Sequence, residues 1–242
     1  MTGPRRGSGA ALRAGMVALA LAGLAAGAMA APSAGAAEPH RVDPQEFQAN
    51  VDHPYFPLVP GTTFEFAERR GSQVSENTVT VTRESKVILG VTCVVVHDVL
   101  RHKGVVVEDT FDWYAQDRRG NVWYFGEATR EIHKNGKVDR EGSWEAGVDG
   151  AEPGIIMPAV IAPGAPYRQE YLRGHAEDMG QIVAVGELVS VPAGKFADCV
   201  RTKEWSMLEA GSERKWYAKG VGFVRSESSD FEVSTLVSAT PP

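Results

Sequence analysis

From Thr62 onward, the chain is a succession of short segments in which apolar and polar residues alternate. Residues 78–82 alternate threonine and valine, and this period of two is typical of a strand with one buried face. Turn sequences such as Asn135-Gly136 separate the segments, and no segment has a long helical period. About a dozen short, regularly spaced strands therefore predict an all-β fold, in which a single antiparallel sheet curves into a half-barrel or a lipocalin-like barrel.

Residues 1–37 have the pattern of a secretory signal peptide. Arg5, Arg6 and Arg13 give a positive start, residues 14–30 are uncharged and mostly apolar, and small residues follow. We expect this segment to be cleaved, so the mature protein would be secreted or extracytoplasmic without a stable membrane anchor. A retained N-terminal anchor is the alternative, although the apolar run is short for a membrane span.

The remaining 205 residues suit one β domain. Residues 38–61 contain five prolines, which favour extended or turn conformations, and their apolar side chains predict a segment packed on the body. Residues 62–242 form the predicted antiparallel domain. Its one break, residues 147–166, is rich in glycine and proline and predicts a long loop across one end.

Charge and motifs limit the possible functions. Removing residues 1–37 takes away three arginines and no acid, which changes the formal net charge from −6 to −9. Such an acidic protein is not expected to bind nucleic acid, whose affinity depends on neutralising phosphates. The sequence has no phosphate-binding loop, serine-hydrolase elbow or metal-ligand motif, so it predicts neither a cofactor nor a metal site.

The two cysteines, Cys93 and Cys199, both lie in apolar, strand-like segments. Outside the cytosol a lone pair of cysteines is usually oxidised, so the sequence predicts a disulfide between them. The alternative is two buried, reduced side chains that act as small hydrophobic residues.

Residues 105–127 carry the candidate site. Asp117–Gly120 suits a type I turn whose glycine is left-handed, and the resulting register pairs Ala115 with Trp123, Trp113 with Phe125, and Phe111 with Glu127. Strand alternation then places four rings and two carboxylates on one face of the hairpin. The candidate ligand-binding residues are Phe111, Trp113, Trp123, Phe125, Asp109 and Glu127.

A carboxylate among aromatic rings should have a raised pKa. The leading hypothesis is a non-catalytic binding or envelope-associated protein, in which the rings hold an unknown apolar or amphiphilic small molecule or a protein partner. The carboxylates would then orient a polar or cationic group. The alternative is a hydrolase or isomerase that uses Asp109 and Glu127 for acid–base chemistry. A third reading makes these rings ordinary core, or an exposed patch of an interaction module.

Three stretches are similar to known exported proteins. Residues 191–202 (VPAGKFADCVRT) and 216–224 (WYAKGVGFV) resemble the closing strands of TapB-like and related exported bacterial proteins of unknown function. Residues 112–127, with DWYAQ and GNVWYFGE, look like an uncharacterised secreted bacterial family. The resemblance implies a curved antiparallel sheet, similar to the half-barrels of lipoprotein carriers, and implies no reaction or catalytic residue. Unlike the lipoprotein members, this chain has no cysteine for lipidation near its N-terminus.

Overall fold

The computed structural model describes residues 42–242; the predicted signal peptide lies outside them. These residues contain no helix long and apolar enough to cross a membrane. They form one 3₁₀ turn, Pro44–Glu46, and eighteen strands: β1 (Phe47–Gln48), β2 (Val51–His53), β3 (Phe56–Leu58), β4 (Thr63–Arg70), β5 (Gln73–Ile88), β6 (Val91–His102), β7 (Val105–Asp117), β8 (Val122–Ile132), β9 (Val138–Asp139), β10 (Trp144–Glu145), β11 (Glu152–Met157), β12 (Tyr167–Arg168), β13 (Glu170–Tyr171), β14 (Asp178–Val191), β15 (Gly194–Ser206), β16 (Glu213–Ala218), β17 (Gly222–Ser228) and β18 (Glu232–Thr240).

One antiparallel sheet contains nearly all of these strands, in the order β12-β14-β15-β16-β17-β18-β4-β5-β6-β7-β8-β11-β13. A single short stretch joins its two edges. Tyr167–Arg168 pairs with β14, Glu170–Tyr171 pairs with β11, and between them the Gln169 N–H donates to the Asp178 carbonyl at 2.8 Å. The sheet therefore curls into a nearly closed barrel with a seam, and the predicted single curved antiparallel sheet is confirmed.

Strand alternation fills the barrel interior. On β4, Phe64 and Phe66 face inward, and on β5 Val79 and Val81 are fully buried. The inward positions become polar toward the opposite end of the same strands, where β4 continues to Glu68. The interior thus has an apolar end and a polar end.

The hairpin β2–β3 closes the apolar end. Phe56 is buried, with its ring centroid 5.3 Å from that of Tyr114. The side-chain oxygen of Gln116 accepts hydrogen bonds from the backbone N–H groups of Asp52 and His53, both at 2.9 Å. A small apolar cleft remains beside the hairpin, lined by Phe56, Pro57, Leu58, Phe64, Phe66, Val221, Gly222 and Phe223. Residues 51–58 therefore contribute to the core.

The loop predicted over residues 147–166 is partly wrong, because strand β11 lies within it. Ile156 and Met157 are fully buried, and β11 pairs with β8 on one side and β13 on the other. β11 shows no alternation of apolar and polar residues, because both of its faces pack against protein. Without that alternation, and between glycine- and proline-rich stretches, its sequence reads as a loop. Gly154 permits the close seam, since a Cβ there would lie 2.4 Å from the backbone carbon of Gln169.

The predicted disulfide is wrong. Cys93 lies on β6 and Cys199 on β15, and both are buried and reduced. Five strands lie between β6 and β15 in the sheet order, with neighbouring strands about 4.8 Å apart, whereas a disulfide needs Cα atoms within about 7 Å. Burial raises the pKa of the Cys93 thiol to about 12, which makes it an inert part of the core.

Candidate functional site

The turn that sets the β7–β8 hairpin forms as predicted. The Asp117 N–H donates to the Asn121 carbonyl at 2.9 Å, and Gly120 has a φ of +97°. Ala115 lies opposite Trp123, which is the predicted register. The first part of the hairpin could therefore be derived from the turn sequence.

A β-bulge then changes the register. Trp113 lies opposite Gly126 rather than Phe125, and Phe111 lies opposite Ala128 rather than Glu127, so both predicted pairs are wrong. Phe125 is the extra residue of the bulge, and Gly126 follows it with a φ of +124°; a Cβ on Gly126 would be 2.3 Å from the Trp144 carbonyl oxygen. Because one extra residue reverses the facing of all that follow, Glu127 moves to the barrel interior.

The two predicted carboxylates consequently lie on opposite faces of the sheet. Glu127 pairs across the strands with Asp112 on the inner face, whereas Asp109 pairs with Arg130 on the outer face. Acid–base chemistry that requires Asp109 and Glu127 to flank one substrate does not fit this arrangement.

Asp109 is held by an ion pair with Arg130 and a hydrogen bond with His97. Its Oδ1 lies 3.0 Å from His97 Nε2, its Oδ2 accepts from Arg130, and the His97 ring stacks on Phe111 with centroids 4.3 Å apart. Partial burial disfavours the charged carboxylate, but the hydrogen bonds from His97 and Arg130 outweigh it and lower the pKa of Asp109. The expectation of a raised pKa at this residue is wrong.

The other predicted rings share the outer face and are covered by protein groups. Phe47 of β1 packs edge-on against Trp123 and Phe125, with centroids 6.0 and 5.5 Å away. Lys86 places its ammonium 3.3 Å from the centre of the Trp113 ring. Phe47 thus fixes the N-terminal segment to the sheet, and Lys86 covers the Trp113 ring.

A different group of side chains, all acidic, lies at the polar end of the barrel. We call this group the acidic mouth. Each of six strands ends there with an inward-facing or rim carboxylate, as the register of each strand with its neighbour requires. Its members are Glu68, Glu108, Glu131, Glu204, Glu213 and Glu232.

Two of these pairings set like charges directly opposite each other. Glu204 faces Glu213 across β15–β16, and Glu108 faces Glu131 across β7–β8. Opposed like charges destabilise an antiparallel pair, and at the first pair a buried ammonium offsets this cost.

Lys215 is the one fully enclosed lysine or arginine among residues 42–242. Its Nζ lies 2.8 Å from Glu204 Oε2 and 3.4 Å from Glu213 Oε2. Burial by itself would lower the pKa of Lys215, but the two carboxylates raise it above its ordinary value, so the ammonium stays charged. One cation thus balances part of a six-carboxylate group.

Glu68 lies at the bottom of the mouth and is 1% exposed. Its Oε1 accepts a hydrogen bond from Asn77 Nδ2 at 3.2 Å, whereas its buried Oε2 has no hydrogen-bond partner among the described residues. Burial raises the pKa of Glu68 to about 8, with a further contribution from the nearby Glu232 and Glu108 charges. Glu232, whose Oε1 is also buried without a hydrogen bond, has its pKa raised to about 7 by burial.

Below the mouth, acids and tyrosines continue toward the apolar end. Asp112 is buried and accepts from the Tyr124 hydroxyl at 2.9 Å, and burial raises its pKa to about 7. The Tyr217 hydroxyl donates to Glu204 at 3.2 Å, which links this layer to the mouth. Among the described residues, no three histidine, cysteine, aspartate or glutamate side chains form a group able to hold a metal ion.

The acidic mouth was missed by sequence reasoning, although a signal was present. On several strands the apolar alternation continues into charged residues at one end, as in Phe64, Phe66 and Glu68, or Tyr217, Lys215 and Glu213. Such a pattern indicates a polar end of the interior. That the six acids converge follows only from closure of the barrel.

Comparison with known proteins adds little. No family model and no curated protein sequence matches the chain. Among solved structures, the chain resembles a candidate exported protein of Bacteroides fragilis that has a YmcC-like fold, with 16% sequence identity and a TM-score of 0.46. The match covers 77% of this chain and 98% of that one. So distant a likeness assigns no ligand or residue role, and the TapB-like resemblance stays a prediction.

Proposed function

We propose that this chain is an exported, non-catalytic binding protein that holds a small organic cation in the acidic mouth of its barrel. The ligand class is one that carries a guanidinium or primary ammonium group. The site differs from the aromatic outer face that the sequence suggested. Export remains an inference from residues 1–37, and the acidic surface still disfavours nucleic acid.

The buried, unpaired carboxylate oxygen of Glu68 is the observation that carries the proposal. A buried polar atom is nearly always hydrogen-bonded, because leaving it unpaired costs free energy. Glu68 Oε2 lacks such a bond and lies beside Glu232, whose Oε1 is in the same state. A ligand that donates several N–H bonds would satisfy both atoms.

Charge selects a cation over a neutral or anionic ligand. The six carboxylates of the mouth outnumber the nearby cations, among them the enclosed ammonium of Lys215 and the guanidinium of Arg70 opposite Glu232. A guanidinium supplies five N–H donors in a planar fork that matches carboxylate geometry. Because the pKa values of Glu68 and Glu232 lie near 8 and 7, a bound cation would favour their ionised forms and displace protons.

Access distinguishes the mouth from the rest of the interior. Glu213 and Glu131 keep 14% and 16% of their side-chain surface exposed, whereas Glu68 below them is closed off. A ligand would therefore enter from solvent at the rim, and its charged group would reach Glu68 once the side chains above it move apart.

Isothermal titration calorimetry with N-acetylarginine amide tests the proposal. At a pH of about 8.5, we expect measurable binding to the wild-type protein and no binding of the neutral analogue N-acetylcitrulline amide. Glu232→Gln should weaken the affinity by about tenfold or more. Glu76→Gln, a matched change at a solvent-facing position of β5, should leave it unchanged.

The opposite results would reject the proposal. Equal binding of the arginine and citrulline compounds would show that charge is not recognised. Unchanged affinity in Glu232→Gln would show that the cation binds elsewhere.

A further inference from the structure

Two touching hairpin loops border one side of the acidic mouth. Residues 207–212 connect β15 to β16, and residues 229–231 connect β17 to β18. The Ser229 N–H donates to the Ser212 carbonyl at 2.9 Å, and the Ser212 N–H donates to Ser229 Oγ at 3.2 Å. Glu213 and Glu232 of the mouth directly follow these loops in the chain, so side chains on the loops lie next to the mouth.

These loops expose large apolar side chains, which we call the apolar lip. Met207 is 63% exposed, Leu208 43% and Phe231 85%. A single exposed apolar residue needs no explanation, but three on two loops that border a charged site make this rim a candidate interaction surface.

Phe231 also has an unfavourable backbone conformation. Its φ is +68°, in the left-handed region that favours glycine and is rare for an aromatic residue. The turn is closed by the Phe231 N–H donating to the Ser228 carbonyl at 3.2 Å and by the Glu232 N–H donating to Ser228 Oγ at 3.0 Å. Glycine would adopt this backbone conformation without strain. A phenylalanine here costs stability twice, because its backbone is strained and its ring is exposed to water. Strain of this kind is found where a residue serves binding rather than stability.

We infer that the ligand is part of a polypeptide: a lysine or arginine side chain, flanked by large apolar residues, enters the acidic mouth while its neighbours pack on the apolar lip. This inference rests on the proposed function of the mouth. A charged group surrounded by apolar contacts that exclude water is the usual arrangement of a strong protein–protein contact. Glu209, which lies on one of these loops, opposes docking on an anionic lipid surface, whereas Asp230 is paired with Arg70.

Fluorescence anisotropy with three labelled peptides tests the inference. They are Phe-Arg-Phe, Gly-Arg-Gly and Phe-citrulline-Phe, all with blocked ends. We expect Phe-Arg-Phe to bind the wild-type protein about tenfold more tightly than Gly-Arg-Gly, and the citrulline peptide not to bind. Phe231→Gly should abolish the advantage of Phe-Arg-Phe while leaving Gly-Arg-Gly affinity unchanged.

Phe231→Gly removes the strained conformation, so we expect this variant to fold; the double variant Met207→Ser, Leu208→Ser provides an independent test of the lip. Equal affinity for Phe-Arg-Phe and Gly-Arg-Gly would overturn the inference and leave the proposed function standing. Failure of both arginine peptides to bind would overturn both. Sedimentation with vesicles of phosphatidylglycerol and phosphatidylcholine that depends on Phe231, without any preference for Phe-Arg-Phe, would assign the lip to a membrane and overturn the inference.

Discussion

Replacing Glu68 with glutamine removes the charge at the bottom of the acidic mouth and keeps the shape of the side chain. The amide oxygen can still accept the hydrogen bond that Asn77 Nδ2 donates to Glu68 Oε1 at 3.2 Å. The variant loses a carboxyl group that binds a proton more tightly in the folded state than in the unfolded state.

The size of the effect follows from the pKa of Glu68. Folding raises this pKa from 4.5 to about 8, mainly by burial, so the folded protein holds the proton more tightly than the unfolded chain. The stabilisation is complete below pH 4.5 and is lost as the pH rises through about 8. A pH of 7 lies about 2.5 units above the pKa of this carboxyl in the unfolded chain. At 1.36 kcal/mol per unit, the free energy of unfolding is therefore about 3 kcal/mol lower at pH 7 than below pH 4.5.

Urea denaturation followed by tryptophan fluorescence measures this difference. Between pH 4.5 and pH 7, we expect the free energy of unfolding of the wild-type protein to fall by about 3 kcal/mol relative to that of Glu68→Gln. Glu76→Gln should follow the wild-type profile, because Glu76 faces solvent on β5. Parallel pH profiles for Glu68→Gln and the wild type would refute the reasoning.

Three further results are expected. Gly126→Ala should destabilise the fold by about 3 kcal/mol or more, because the new Cβ would meet a carbonyl oxygen at 2.3 Å in a left-handed backbone; unchanged urea unfolding would contradict the bulge. Lys215→Met should reduce stability by about 3–5 kcal/mol by leaving Glu204 and Glu213 without their shared ammonium, and a more stable variant would contradict this charge balance. Cys93 and Cys199 should both react with a thiol reagent after unfolding without reductant, and an absence of reactive thiol would show that they are bonded.

Local sequence determined some parts of the fold directly. The Asp117–Gly120 turn is encoded by residues that touch each other, so its pairing of Ala115 with Trp123 could be derived. The bulge at Gly126 depends on Trp144, eighteen positions later, whose carbonyl occupies the space a side chain would need. The residues of the turn contain no information about this distant contact. The prediction that Glu127 shares a face with Phe111 was therefore wrong.

The acidic mouth illustrates the same limit on a larger scale. The inward facing of Glu68 follows from its spacing from Phe64 and Phe66, and alternation within β4 is enough to predict it. Its proximity to Glu232 requires β18 to pair with β4, from opposite ends of the domain. The disulfide prediction failed in the same way, because compartment and apolar context favour oxidation but say nothing about the distance between Cys93 and Cys199.

Proton release on ligand binding tests the central claim most directly. Calorimetric titration of N-acetylarginine amide at a pH of about 7, in two buffers with different enthalpies of ionisation, gives the number of protons exchanged. A cation bound beside Glu68 and Glu232, whose pKa values are about 8 and 7, should release about one proton to the buffer. Binding with no proton release would place the cation away from these carboxylates and contradict the account.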